Sequence, residues 1–170
     1  MRANFSILMP HFFNPNAIIV CQTKQRLRGG YPVAVDKGVG AVDFNFKVLV
    51  VDDMLTVRKL MEKNCKDMGF KDVDSAENGA QAWQMIEKGE KKYGLIVSDW
   101  NMPELNGLML LKKVRGDKRF ADCIFIMCTT SSEKANVIEA VKAGINQYIV
   151  KPFTPEDFKS KVELAFTKKT

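Results

Sequence analysis

Histidine is almost absent from this chain, and its cysteines form no motif. The single His11 lies among Pro10, Asn14, Pro15 and Asn16 and reads as inert. The four cysteines, Cys21, Cys65, Cys123 and Cys128, have no C-x-x-C spacing. Three of them sit inside apolar runs or a helical pattern, as reduced core residues of a cytosolic protein do. No stretch approaches the length of a membrane span. The opening Arg2, Phe5, Ile7, Leu8 and Met9 faintly imitates a secretory signal, but Pro10 to Asn16 interrupts it, and Val20 before Cys21 is too large for a lipoprotein cleavage site. The protein is therefore expected in the cytoplasm with no membrane partner. No basic stretch carries interleaved aromatics or a helix-turn-helix pattern. The net charge of +6, half of it from the first 46 residues, thus gives no nucleic-acid reading. Internal repeats and low-complexity tracts are also missing.

What is present begins near Asn45. Residues 1–45 hold Gly29-Gly30, Pro32, Gly38 and Gly40 with no sustained period, and are expected to be an irregular, disordered extension. An over-extended reading frame is a second account of residues 1–41, because bacterial genes also start at valine codons and Val42 lies at the boundary. Residues 46–170 form one domain, the most that 170 residues allow beside such a segment. There the pattern predicts strands over 47–52, 71–75, 94–99, 123–129 and 146–150. It places helices over 55–68, 77–89, 105–116, 132–143 and 155–167. Five strand–helix pairs imply an α/β fold, a parallel sheet covered on both faces with right-handed crossovers. Thr154, Pro155 and Asp157 mark the start of the last helix as a capping box.

Four of the apolar runs end at polar residues suited to a phosphoryl group: Asp52-Asp53, Asp99, Thr129-Thr130 and Lys151. In an open parallel sheet the ligand crevice lies beyond the carboxyl ends of the strands, so these stops should converge. Carboxylates about 5 Å apart repel by roughly 3 kcal/mol per pair at an effective dielectric of 20, so three together call for a cation. Hard oxygen donors with room for water suit Mg2+. Any one Asp after a strand reads more simply as a cap or turn residue; three, with Thr and Lys at the other strand ends, do not.

The segments VLVVDD, SDWNMPELNG, IMCTTSS and NQYIVKPF resemble the receiver domains of two-component response regulators from residue 47 to about 168. The Asp-Trp-Asn-Met-Pro run at 99–103, and the absence of an effector domain after the last helix, resemble the family's single-domain chemotaxis regulators. The resemblance implies a flavodoxin-like, doubly wound sheet of five strands with five helices. It implies that Asp99 is the phosphoacceptor, served by a histidine kinase of the CheA type. Asp53, Asp99 and the backbone carbonyl of Asn101 would hold Mg2+, with Asp52 acting through a water. Lys151 would pair with the phosphoryl oxygens and Thr129 would hydrogen-bond one of them. Thr129 and Tyr148 would form the switch, and the Lys151-Pro152 bond would be cis. A flagellar motor switch protein of the FliM type would read the output, and a phosphatase is a further partner. The protein would be a monomer and a signalling protein rather than an enzyme, although it takes part in its own phosphorylation and dephosphorylation.

Some positions depart from the commoner pattern. Leu55 stands where Ser often caps the first helix, which leaves that start to Asp53 or Thr56. Thr130 occupies a site that is frequently Ala in the family, and by the resemblance Asn101 and Ser131 sit at the variable positions flanking the site that the family uses to set the lifetime of the aspartyl phosphate. Read alone, Tyr148 is a half-buried strand tyrosine with its hydroxyl in water. Trp100 reads as an exposed surface residue beside the acceptor. Met102, Met109 and Met127 read as core or loop fillers, and Lys112-Lys113 and Lys118-Arg119 as a solvated face. Two rival functions are a phosphate sink or non-chemotaxis phosphorelay, and a Mg2+-dependent phosphatase of the haloacid dehalogenase type. The latter places its second Asp two residues after the nucleophile on the first strand and carries a cap, neither of which this chain has.

Overall fold

The structure is a computed structural model in which residues 46–89, 92–130 and 137–167 are described. Strands and helices alternate as β1 Lys47–Val51, α1 Leu55–Asp67, β2 Val73–Ala76, α2 Gly79–Lys88, β3 Tyr93–Asp99, α3 Gly107–Gly116, β4 Ile124–Thr130, α4 Val137–Lys142, β5 Gln147–Lys151 and α5 Pro155–Thr167. The expected extension over 1–45 and the start of the expected 132–143 helix lie outside the described residues.

The five strands form one parallel sheet in the order β2-β1-β3-β4-β5. The chain winds to one side from β1 to β2 and then to the other from β3 onward, so the switch point falls between β1 and β3. The strands are buried on both faces, which is why they read as continuous Val- and Ile-rich runs rather than as an alternation. Side chains nevertheless alternate between two cores. Val48, Val50, Leu95, Val97, Ile124, Ile126, Cys128 and Ile149 pack against Met61 and Cys65 of α1 and Phe158, Val162 and Ala165 of α5. Leu49, Val51, Ile96, Phe125 and Met127 pack against α2, α3 and Ala140 of α4. That period of two decides which strand-end residues can meet.

β2 starts two residues later than the expected 71–75. The cause is the exit from α1, a Schellman turn in which Gly69, at φ 102°, donates to Lys66 O and Phe70 donates to Cys65 O. Phe70 is then buried beside Cys65, and Lys71 and Asp72 are spent in the turn. The start of α5 is as expected: Asp157 N–H donates to Thr154 Oγ1 at 3.1 Å and Thr154 N–H to Asp157 Oδ2 at 3.1 Å. The start of α1 is not. Its N-cap is Met54, which offers no side-chain acceptor, so neither Asp53 nor Thr56 stands at the capping position.

The loop after β3 is drawn tightly under the sheet end. Gly107 N–H donates to Trp100 O at 3.0 Å, and a Cβ on Gly107 would lie 2.2 Å from Asp99 O and 2.7 Å from Met127 Sδ. Replacing Gly107 by Ala must therefore push the backbone of Asp99 away or tilt α3. A loss of about 2–3 kcal/mol in unfolding free energy is expected for Gly107→Ala from urea titration; an unchanged midpoint would show that the loop has slack.

Candidate functional site

Asp52 follows β1, and Asp99 and Lys151 close β3 and β5. All three continue the same alternation, the one facing α1 and α5, so their side chains leave the sheet on one side at neighbouring strand ends. The ammonium of Lys151 crosses the end of β4 and donates to Asp52 Oδ2 at 2.7 Å and to Asp99 Oδ1 at 2.5 Å. The other oxygens are held from the backbone. Met54 N–H donates to Asp52 Oδ1 at 2.9 Å and Asn101 N–H to Asp99 Oδ2 at 3.1 Å.

Burial makes this arrangement electrostatically uneven. Asp52 is fully buried and Asp99 is 8% exposed. Burial works against the Lys151 charge, but the hydrogen bonds it donates to Asp52 and Asp99 outweigh that and hold the ammonium above its ordinary pKa. For Asp99, burial dominates and raises the carboxyl; Lys151 pulls it down and the charge of Asp52 pushes it up. One ammonium shared by two carboxylates leaves a net charge of about −1 under poor solvation. Asp53, exposed at the next position, adds another. Beneath them Cys128 is buried with its thiol pKa pushed up, Sγ lying 3.7 Å from Met61 Sδ, so it is a packing residue and not a nucleophile.

The expected convergence is thus met for Asp52, Asp99 and Lys151. Among the described residues no three His, Cys, Asp or Glu side chains are grouped closely enough to hold a metal ion. The fit to a cation rests on other grounds. Lys151 is itself a cation standing between Asp52 and Asp99, the nearby donors are hard carboxylate oxygens, and the residual negative charge needs compensation. Thr129 is buried, and its hydroxyl donates to Thr130 O at 3.2 Å. It belongs to the opposite alternation, with Tyr148, whose strand partner is Met127. Tyr148 is 37% exposed, with the Lys161 ammonium 5.4 Å above its ring. The Lys151-Pro152 bond is cis, as expected.

Two expectations need correction. Trp100 is not a surface residue: it is 6% exposed and packs with Met102 and Leu108 in the α2–α3 core. It continues the alternation of Ile96 and Ser98, and its N–H donates to Cys128 O at 2.9 Å. Met127 and Met102 are core fillers, but Met109 is half exposed on α3. One residue was missed. Arg58 in the first turn of α1 donates to the carbonyls of Asp52 and Asp53 at 2.5 and 3.4 Å. A cation in the first turn of a helix with no acid there was the available signal.

A profile of the response regulator receiver domain matches residues 48–163. Over 117 residues the chain is 50% identical to a "Chemotaxis protein CheY homolog" of Campylobacter jejuni, covering 69% of this chain and 89% of that one. It is 48% identical over 118 residues to "Chemotaxis protein CheY1" of Helicobacter pylori, 69% and 94% of the two chains. The solved structure of the chemotaxis response regulator CheY4 of Vibrio cholerae superposes with a TM-score of 0.65 at 29% identity, over 71% of this chain and 98% of that one.

Removing the shared cation isolates the electrostatics. In EDTA, Lys151→Met leaves a fully buried Asp52 facing Asp99 without an ammonium, and a loss of about 3 kcal/mol of stability is expected from urea unfolding at pH 7. Wild-type stability in that variant would mean that the pair is screened by solvent.

Proposed function

The chain belongs to the response regulator receiver domain family, with CheY chemotaxis proteins among its relatives, and we propose that it is a phospho-aspartate switch accepting its phosphoryl group at Asp99. The observation that carries this reading is the Lys151 ammonium lodged between Asp52 and Asp99 at the carboxyl ends of the strands. A phosphoryl group in transit needs its oxygens neutralised and its attacker in line, and little covalent chemistry besides. Asp99 presents a carboxylate oxygen to phosphorus, the bond from phosphorus to the donor breaks, and an acyl phosphate forms. Lys151, already at Asp99 Oδ1, is placed to follow the charge onto the phosphoryl oxygens. Asp53, Asp99 and the backbone carbonyl of Asn101 would hold Mg2+, with Asp52 acting through a water, and the bound ion would supply further neutralisation. The Thr129 hydroxyl takes a phosphoryl oxygen once one is present.

The donor in this reading is a CheA-type histidine kinase, and the reader is a FliM-type component of the flagellar motor switch. The protein acts in the cytoplasm as a monomer, and a phosphatase is a further partner. The 46–170 segment carries the whole activity, and residues 1–45 are dispensable to it. Chemotaxis is favoured over a phosphate sink by the CheY names of the relatives. No helix among the described residues is long and apolar enough to cross a membrane.

Output follows from the second alternation. A Thr129 hydroxyl drawn toward a new phosphoryl group vacates space on the α4 side, where Tyr148 on the neighbouring strand can turn inward. A partner that prefers the inward state then shifts the population by its differential affinity.

Two measurements test this. In Asp99→Asn, acetyl phosphate with Mg2+ should leave no label at the site, and labelling equal to wild type would remove the assignment. In Tyr148→Ala, label should be incorporated normally while most of the phosphorylation-dependent gain in binding a FliM peptide disappears. An undiminished gain would mean that the signal leaves by another route.

A further inference from the structure

Arg58 occupies the first turn of α1, where the aligned peptide dipoles disfavour a cation and no acidic side chain compensates. Its guanidinium turns back toward the strand end. Nη1 donates to Asp52 O at 2.5 Å and reaches Asp53 O at 3.4 Å. The N-cap residue, Met54, supplies no side-chain acceptor. The β1–α1 turn is therefore held by Met54 N–H on Asp52 Oδ1, by Arg58 N–H on Met54 O at 3.0 Å, and by the guanidinium. Asp53 lies in the middle of that turn, exposed, with no side-chain hydrogen bond among the described residues. The direction of its carboxylate is set by the backbone on either side of it.

We propose that Arg58 is a positioning residue for the cation site: in place of a side-chain cap it clamps the carbonyls of the acidic pair, fixing the direction in which Asp53 meets a divalent ion. The inference rests on the reading of Asp53 as a Mg2+ ligand. Arg58 itself touches neither the ion nor the phosphoryl group. A guanidinium also repels a dication, so two effects oppose each other. The guanidinium is only partly buried and its field is screened by water and salt. A ligand released from its turn instead loses pre-organisation, and every binding event must then restore it. Positioning outweighs repulsion.

Mg2+ affinity of the full chain, measured by titration calorimetry at physiological salt, separates these effects. Arg58→Ala is expected to raise the Mg2+ Kd about tenfold, the low end for partners that orient metal ligands. Arg58→Lys, which keeps the charge but loses the guanidinium fork, should raise it by a smaller factor. Adding Met54→Ser to Arg58→Ala supplies an N-cap hydroxyl for the same turn and should recover most of the affinity. Val162→Ala, destabilised in the α5 core, should bind Mg2+ as wild type does, which a merely structural role for Arg58 would not separate. Unchanged affinity in Arg58→Ala overturns the proposal, and tighter binding overturns it in favour of repulsion. If Arg58→Ala does not fold, an unchanged Kd in Arg58→Lys overturns it equally. Wild-type protein that binds no Mg2+ overturns the metal reading itself, and the role of Arg58 with it.

Discussion

Two buried carboxylates share one ammonium, and the rest of the structure is arranged around that shortage of positive charge. Taking a carboxylate out of water costs several kcal/mol, on the order of what a whole domain has to spare. Asp52 tolerates complete burial because it has the Lys151 ammonium and the Met54 amide. Asp99 has the same ammonium and the Asn101 amide, yet burial and Asp52 still raise its pKa. A site left electrically incomplete in this way gains from a divalent cation more than a neutral crevice would.

The alternation of the strands then places the acidic site and the proposed switch residues on opposite faces of the sheet. Asp52, Asp99 and Lys151 fall on the α1–α5 side; Thr129, on β4 between the strands of Asp99 and Lys151, and Tyr148, three residues before Lys151 on β5, follow the opposite alternation. In the proposed reading, a change in charge on one side reaches packing on the other through Thr129. The loop after β3 is tightly packed: a Cβ at Gly107 has no room beside Asp99 O, and Trp100 is wedged into the core immediately after Asp99.

Much of this was legible in the sequence because it depends on strand ends and period. The parallel sheet, the convergence of Asp52, Asp99 and Lys151, and the capping box of α5 each follow from local pattern. Trp100 was misread because tryptophan beside a polar loop looks exposed, although its parity with Ile96 and Ser98 points inward. The cap of α1 was misplaced because the turn is held by the Asp52 carboxylate on Met54 N–H and by the Arg58 guanidinium on the Asp52 carbonyl, for which a cation in the first turn is a fainter signal than a capping residue. The late start of β2 depends on how deeply Phe70 is buried after Gly69, a tertiary fact. Thr129 and Asp53 stand at the strand ends that the sequence marks, and the roles proposed for them are roles toward a ligand.

The coupling between Lys151 and Asp52 tests the central claim most directly. Unfolding free energies in EDTA for wild type, Asp52→Asn, Lys151→Met and the double variant form a closed cycle. If the shared ammonium holds the site together, the double variant should be less destabilised than the sum of the single ones by about 2 kcal/mol. Strict additivity would contradict the account, because it would mean that the two groups do not feel each other in the folded protein.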